Sequence, residues 1–320
     1  MVIKENKYLT FDIPKQINFK FFIKYLLSIM YRMFYGILFL FIRVPRNNFK
    51  YNVSICAIFK DEADYLKEWI EFHRIVGVEH FYLYNNKSTD NYLEVLSPYI
   101  RMGIVSLIDW PKPQGQLSAY KNFMETKRNE TRWVGLIDID EFVVPNSTES
   151  IYDFLQQFNN KPAVIVYWKI FGTSGKIKRD VSNLITEEFI VSWKKYANIG
   201  KIFFNTNFAY DTKLKENGAT MHYLWSKWKN IKVPPVNVFG KTCMYGHSPV
   251  SSDLMPLQIN HYLVKSYDEY IHKKSKRGGG VHPIGMHDMS YFFEHEMKCN
   301  SVDYHAYKYL VKLKLAMEKK

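Results

Sequence analysis

Between residues 51 and 171, short runs of apolar β-forming residues alternate with stretches of helical periodicity. No other feature restricts the fold of this chain as strongly. The apolar runs are 53–59 (VSICAIF), 80–86, 103–110, 133–140 (WVGLIDID) and 163–171. Between them, residues 61–77 carry Leu66, Trp69, Ile70, His73 and Val76 at helical spacing, with Gly77 as a stop. Further helices are predicted over 91–100, with Asp90 as N-cap, over 116–128, and over 147–158, capped by Ser147 or Thr148. Strands that are apolar on both faces, in this order, predict an α/β domain with a mainly parallel sheet covered by helices. In such sheets ligands bind beyond the carboxyl ends of the strands. Here those ends read KDEAD, NNKSTD, WPKPQGQ and DIDEF, all polar.

The 320 residues are 47% hydrophobic and 17% aromatic, enough for a sizeable core and unlike a disordered chain. The net charge of +13 is uneven: residues 1–50 carry +7 and residues 265–320 carry +4. Basic ends beside aromatics fit an anionic membrane surface better than nucleic acid, which favours a central basic face. Cys56, Cys243 and Cys299 have no metal-ligand spacing and suggest free thiols rather than a disulfide framework. Residues 21–42 have the length of a membrane span, yet Lys24 and Arg32 lie inside them, and no signal-peptide cleavage site follows. Three readings stay open: an in-plane amphipathic anchor, a poor transmembrane helix, or a helix packed on the domain. The C-terminal residues 306–320 alternate apolar residues with lysine and suit either lipid or solvent.

The chain has no GxGxxG and no GxxxxGK[ST] loop. A bound phosphate therefore needs another source of positive charge. Asp138 and Asp140 are two apart; if the strand persists, both face one way and suit a hard cation, Mn2+ or Mg2+. The competing reading has them capping the next helix or pairing with Lys or Arg.

The segments 57–90 (AIFKDEADYLKEWIEFHRIVGVEHFYLYNNKSTD), 115–122 (GQLSAYKN) and 135–145 (GLIDIDEFVVP), in that order, resemble a glycosyltransferase of the GT-A type. More narrowly, they resemble glycosyltransferase family 92 and related bacterial family-2-like proteins. Pieces at 168–179, 200–209 and 259–278 continue the resemblance over roughly 51–280. Asp61 departs from it, because relatives usually carry Asn there.

The resemblance implies a GT-A domain over 51–280, with a nucleotide-sugar half (51–165) and an acceptor half (166–280). A membrane-associated segment (1–50) precedes it and a helical tail (281–320) follows. It implies transfer of a sugar from a nucleoside diphosphate sugar, UDP-galactose foremost, to a glycan or lipid-linked acceptor; inversion is the stereochemistry expected. Lys60, Asp61, Glu62 and Asp90 would line the nucleotide pocket with Gln116, Lys121, Asp138 and Lys265. Asp140 would bind the metal beside Asp138, with His261 or His222 as further ligand. Lys273, Lys274, Lys276 and Arg277, with the adjoining glycines, read as a basic loop able to close over the nucleotide. Glu187, Glu188 and Asp180 are the candidates for the general base, and Glu141 is the least explained carboxylate. Composition suggests a bacterial cell-surface polysaccharide enzyme on the cytoplasmic face of the membrane. The rivals are a sugar nucleotidyltransferase and an inactive membrane-bound glycan-binding protein.

Overall fold

The computed structural model describes residues 19–44, 47–210, 221–244, 246–277, 285 and 287–318. The predicted alternation holds. After a long first helix, α1 (Phe19–Phe41), the chain runs β1 (Tyr51–Phe59), α2 (Ala63–Ile75), β2 (His80–Asn85), α3 (Tyr92–Arg101), β3 (Val105–Asp109) and α4 (Gln116–Thr126). Next come β4 (Thr131–Leu136), β5 (Glu141–Pro145), α5 (Ile151–Leu155), β6 (Ala163–Ile170), α6 (Ile185–Glu188), β7 (Val191–Trp193) and β8 (Gly200–Asn205). Three short strands, β9 (Ala209–Tyr210), β10 (Ser226–Trp228) and β11 (Ile231–Val233), form an antiparallel ribbon. The remainder holds β12 (Val236–Asn237), β13 (Leu257–His261), α7 (Tyr267–Glu269), a π-helical turn (Tyr270–Lys274), α8 (Ser275–Arg277), α9 (Met289–Glu296), β14 (Cys299–Val302) and α10 (Leu310–Glu318).

The central sheet has the order β3-β2-β1-β4-β8-β6-β13-β5, with β12 beside β6. Strands β1 to β4 are mutually parallel, as are β6, β12 and β13, while β8 and β5 run against their neighbours. The sheet is therefore mixed and mainly parallel, the fold class expected. Its interior is filled by apolar strand residues such as Val53, Ile55, Trp133, Val134, Ile165 and Phe203. α2 turns Leu66, Trp69, Ile70 and His73 inward, following its sequence periodicity.

Three expectations are corrected. β4 ends at Leu136, so Asp138 and Asp140 occupy the turn into β5, not one face of a continuing strand. Asp90 does not cap α3, whose N-cap is Asn91; its carboxylate accepts the backbone N–H of Ala63 at 2.8 Å, in the first turn of α2. α5 is capped by Ser150 rather than Ser147 or Thr148. Within residues 281–320, expected as a helical tail, β14 pairs with β7, and α10 packs on α2. Cys56 and Cys243 are buried free thiols and Cys299 is half-buried. Gly278, Gly279 and Gly280, part of the expected basic loop, lie outside the described residues, as does residues 1–18 of the expected membrane segment.

Candidate active site

The turn 138–141 is held from below by α2. The indole N–H of Trp69 donates to the carbonyls of Glu141 (2.8 Å) and Asp138 (3.1 Å). One helical turn on, His73 bonds the Trp69 carbonyl through Nδ1 at 2.8 Å, while its Nε2 accepts the Val143 N–H at 3.1 Å. Those partners fix a neutral imidazole, and burial lowers its pKa to about 3. The helix thus carries two residues that aim the acidic turn, and the sequence signal for them was only their apolar spacing.

Each carboxylate of the turn has a different set of partners. Asp138 accepts from Gln116 Nε2 (2.6 Å) and Tyr120 Oη (3.1 Å) on one oxygen and from Lys201 Nζ (2.7 Å) on the other. Lys201 is the second residue of β8 and is 1% exposed, with Glu141 at 3.7 Å. Burial disfavours its charge, but Asp138 and Glu141 outweigh burial and raise its pKa. Glu141, wholly buried, closes the turn by accepting the Asp138 N–H at 3.0 Å. Burial pushes Glu141 up to about 8, opposed by Lys201 and reinforced by Asp138 and Asp140. Asp140 faces Lys274 Nζ at 3.3 Å and His261 Nε2 at 3.6 Å. Burial opposes its charge, yet Lys274 and His261 hold it well below the usual carboxylate range.

Above the turn opens a cavity of 1570 Å³. That is more than a single small ligand fills and leaves room for two substrates. It is lined by nine lysines (Lys60, Lys194, Lys195, Lys201, Lys265, Lys273, Lys274, Lys276 and Lys298) against four acids (Glu62, Asp138, Asp140 and Glu269). This excess supplies the positive charge that no glycine-rich loop provides. Lys265 adopts a left-handed backbone (φ 54°), lies 3.3 Å from the centre of the Tyr65 ring and meets Glu62 at 3.3 Å. Lys273 approaches the Asp61 carbonyl at 3.4 Å. The expected basic loop is therefore helical over its described part and already forms one wall.

Of the expected site residues, Lys60, Glu62, Gln116, Asp138, Asp140, His222, His261 and Lys265 meet in this cavity. Asp61 serves the adjoining loop: at φ 49° it accepts from Thr89 N at 2.6 Å, a geometry Asn and Asp both tolerate. Lys121 is on the open face of α4, 4.0 Å from Glu125. Glu187, Glu188 and Asp180 are not on the cavity wall: they pair with Lys314 (2.6 Å), Lys176 (2.7 Å) and Ser182 (2.7 Å) respectively. The sequence reading missed Lys201, whose strand was not identified, and His287, Tyr291, His295 and Lys298, which reach the cavity from the presumed tail.

The sequence model of glycosyltransferase family 92 matches residues 50–277, more than half of the chain. The chain belongs to glycosyltransferase family 92. A family 92 protein of Oryza sativa subsp. japonica is 29% identical over 133 residues, covering 40% of this chain and 23% of the relative. One from Ricinus communis is 29% identical over 130 residues, covering 39% and 24%. The chain thus matches about a quarter of the length of these relatives. Among solved structures, Staphylococcus aureus TarS 1–349 in complex with UDP aligns at 12% identity and a TM-score of 0.31, covering 40% of this chain and 38% of that one.

A divalent cation fits part of this family 92 site. Asp140 and His261 stand at a separation two ligands of one small cation can share, and both face the cavity, although Lys274 Nζ, 3.3 Å from the same Asp140 oxygen, would have to give way to the cation. Asp138 does not fit as a ligand while Lys201, Gln116 and Tyr120 occupy its oxygens. His222 gives Nδ1 to the Gly200 carbonyl at 2.6 Å, leaving Nε2 as its other ring nitrogen. Among the described residues no group of three His, Cys, Asp or Glu side chains could hold a metal. Substrate phosphate and water would therefore complete the shell, the habit of Mg2+.

Proposed function

We propose that this family 92 protein transfers a sugar from a nucleoside diphosphate sugar, a UDP-hexose, to a saccharide acceptor, with inversion. One observation carries the reading: an acidic turn at the carboxyl end of β4 faces a wall of lysines across a cavity large enough for two substrates. Gln116, Tyr120 and Lys201 hold Asp138 in one orientation; its Oδ2, which among the described residues accepts only from Lys201, keeps capacity for one further hydrogen bond, suited to a nucleotide's ribose. Lys265, paired with Glu62, and Lys273 line the cavity and would offer positive charge to a diphosphate. Asp140 and His261 would hold Mn2+ or Mg2+, whose chemistry is to take up charge on the departing diphosphate. Trp193, Lys194, Lys195 and Lys298 also line the cavity, with Lys298 Nζ 4.8 Å above the Trp193 ring. An aromatic face edged by cations suits a sugar ring carrying negative charge, which supports reading this part of the cavity as the acceptor side.

Release of nucleoside diphosphate from a panel of nucleotide sugars, with and without Mn2+ and with added glycans, tests this directly. The expected result is metal-stimulated release from a UDP-sugar, retained in Glu187→Gln and Asp180→Asn. Binding of nucleotide sugar without release from any donor would support the glycan-binding alternative. Release of pyrophosphate from a nucleoside triphosphate and a sugar phosphate would support the nucleotidyltransferase.

A further inference from the structure

α1 is amphipathic in an inverted sense: its mixed face meets the domain and its apolar face looks outward. Tyr31 donates to the Cys243 carbonyl at 3.2 Å, and Asn160 donates to the carbonyl of Phe39 at 2.7 Å. Lys161 Nζ lies 3.9 Å from the centre of the Phe39 ring, and Tyr35 meets Trp225 edge-on at 6.2 Å. Arg32, the charge that argued most against a membrane span, is drawn to the same side, where Cys243 and Tyr167 are its electrostatic neighbours. On the other side Phe22, Leu26, Met30, Met33, Phe34 and Ile37 are more than half exposed. Their spacing of three and four residues makes one continuous apolar stripe along the helix.

A 23-residue helix is roughly 35 Å long, enough to cross the ~30 Å hydrocarbon core. Its attachment forbids that. The helix is fastened to the domain from its middle to its last turn, so crossing would carry Asn160, Lys161 and the loop carbonyl of Cys243 into hydrocarbon, at several kcal/mol per polar group. Lying flat costs nothing of the kind. The charge around the stripe identifies the occupant. The sequence has no acid between residues 13 and 60, and Lys20, Lys24 and Arg43 are exposed at the two ends of the helix. A second copy of the same face would bring like charges together, whereas anionic headgroups complement them.

We infer that α1 lies parallel to an anionic membrane, its Phe22-to-Ile37 stripe sunk into the boundary between headgroups and acyl chains. The anchor also touches the cavity wall. His222 lines the cavity, and the next residue, Tyr223, donates to the same Cys243 carbonyl that Tyr31 holds. A saccharide attached to lipid would thus reach the cavity from the side that His222 lines.

The test needs no enzyme activity, so it stands apart from the sugar-transfer reading. The full-length chain is mixed with vesicles of phosphatidylcholine alone or of phosphatidylcholine with phosphatidylglycerol, at low and high salt. The expected result is salt-sensitive binding to the anionic vesicles, reduced tenfold or more in Leu26→Glu/Phe34→Glu with unchanged circular dichroism and melting. In Met30→Trp, the added fluorescence should be quenched most by bromines placed high on the acyl chains, ~5–10 Å deep. Maximal quenching at the bilayer centre would overturn the flat orientation in favour of a span. Equal vesicle binding by the double variant would remove the stripe as the docking face. A dimer that the double variant dissociates, with no vesicle binding by wild type, would assign the face to a second copy.

Discussion

Lys201 decides whether the acidic turn is tolerable. A buried carboxylate pair without a cation costs several kcal/mol, and Lys201 stands between Asp138 and Glu141 with its ammonium almost sealed from water. Removing it leaves Asp138 uncompensated, although that side chain is 31% exposed and can recruit water. Lys201→Met is therefore expected to lower stability by about 1–3 kcal/mol, short of the full penalty for a sealed pair, and to weaken nucleotide binding. Glu141→Gln keeps an acceptor for the Asp138 N–H and should cost less. Urea unfolding of the two variants reads the order, and a larger loss in Glu141→Gln would show that Glu141 rather than Lys201 carries the turn. The sequence offered no route to this lysine: a Lys between Gly200 and an apolar run reads as solvated unless the strand pairing is known. Glu141 was equally opaque, because its partner is a backbone N–H three residues away.

At the scale of elements, the hydrophobic runs and helical periodicities placed β1 to β4, β6 and the helices between them, since those elements bury whole faces. What the periodicity could not show is insertion order. β8 arrives late in the chain and slots antiparallel between β4 and β6, which is how Lys201 reaches a turn more than sixty residues earlier. The close approach of β8 to β6 depends on Gly200, where an added Cβ would lie 1.7 Å from the Val166 carbonyl oxygen. No side-chain rotation relieves contact with a backbone atom. Gly200→Ala should cost about 3–5 kcal/mol, read as a fall in the thermal midpoint or loss of soluble protein; wild-type melting would mean the two strands can part there. Asp90 shows a second limit of local reading. Its STD context marks a helix start correctly, but the backbone N–H it satisfies belongs to another helix, twenty-seven residues back.

Over the whole molecule, the cavity draws on residues of 51–165, of 166–280 and of the C-terminal segment. The same packing seals several histidines as neutral rings. Burial lowers His73 to about 3 and His80 and His222 to about 4, against an ordinary value near 6.5. The unfolded chain then binds more protons than the folded one between those limits. The stability these groups contribute is complete above pH 6.5 and is lost as pH falls toward 3–4. Urea midpoints should drop between pH 7.5 and pH 5, and His73→Gln should flatten that drop; an unchanged slope would assign the acid sensitivity to other groups.

The central claim, that the turn holding Asp138 and Asp140 is where sugar is transferred, is tested most directly by nucleoside diphosphate release from a UDP-sugar with Mn2+ present, comparing wild type with Asp140→Ala. The account predicts that the variant keeps the wild-type fold by circular dichroism, with a modest loss of stability because Lys274 and His261 lose the carboxylate they face, while metal-stimulated release disappears. Release at the wild-type rate from Asp140→Ala would contradict it.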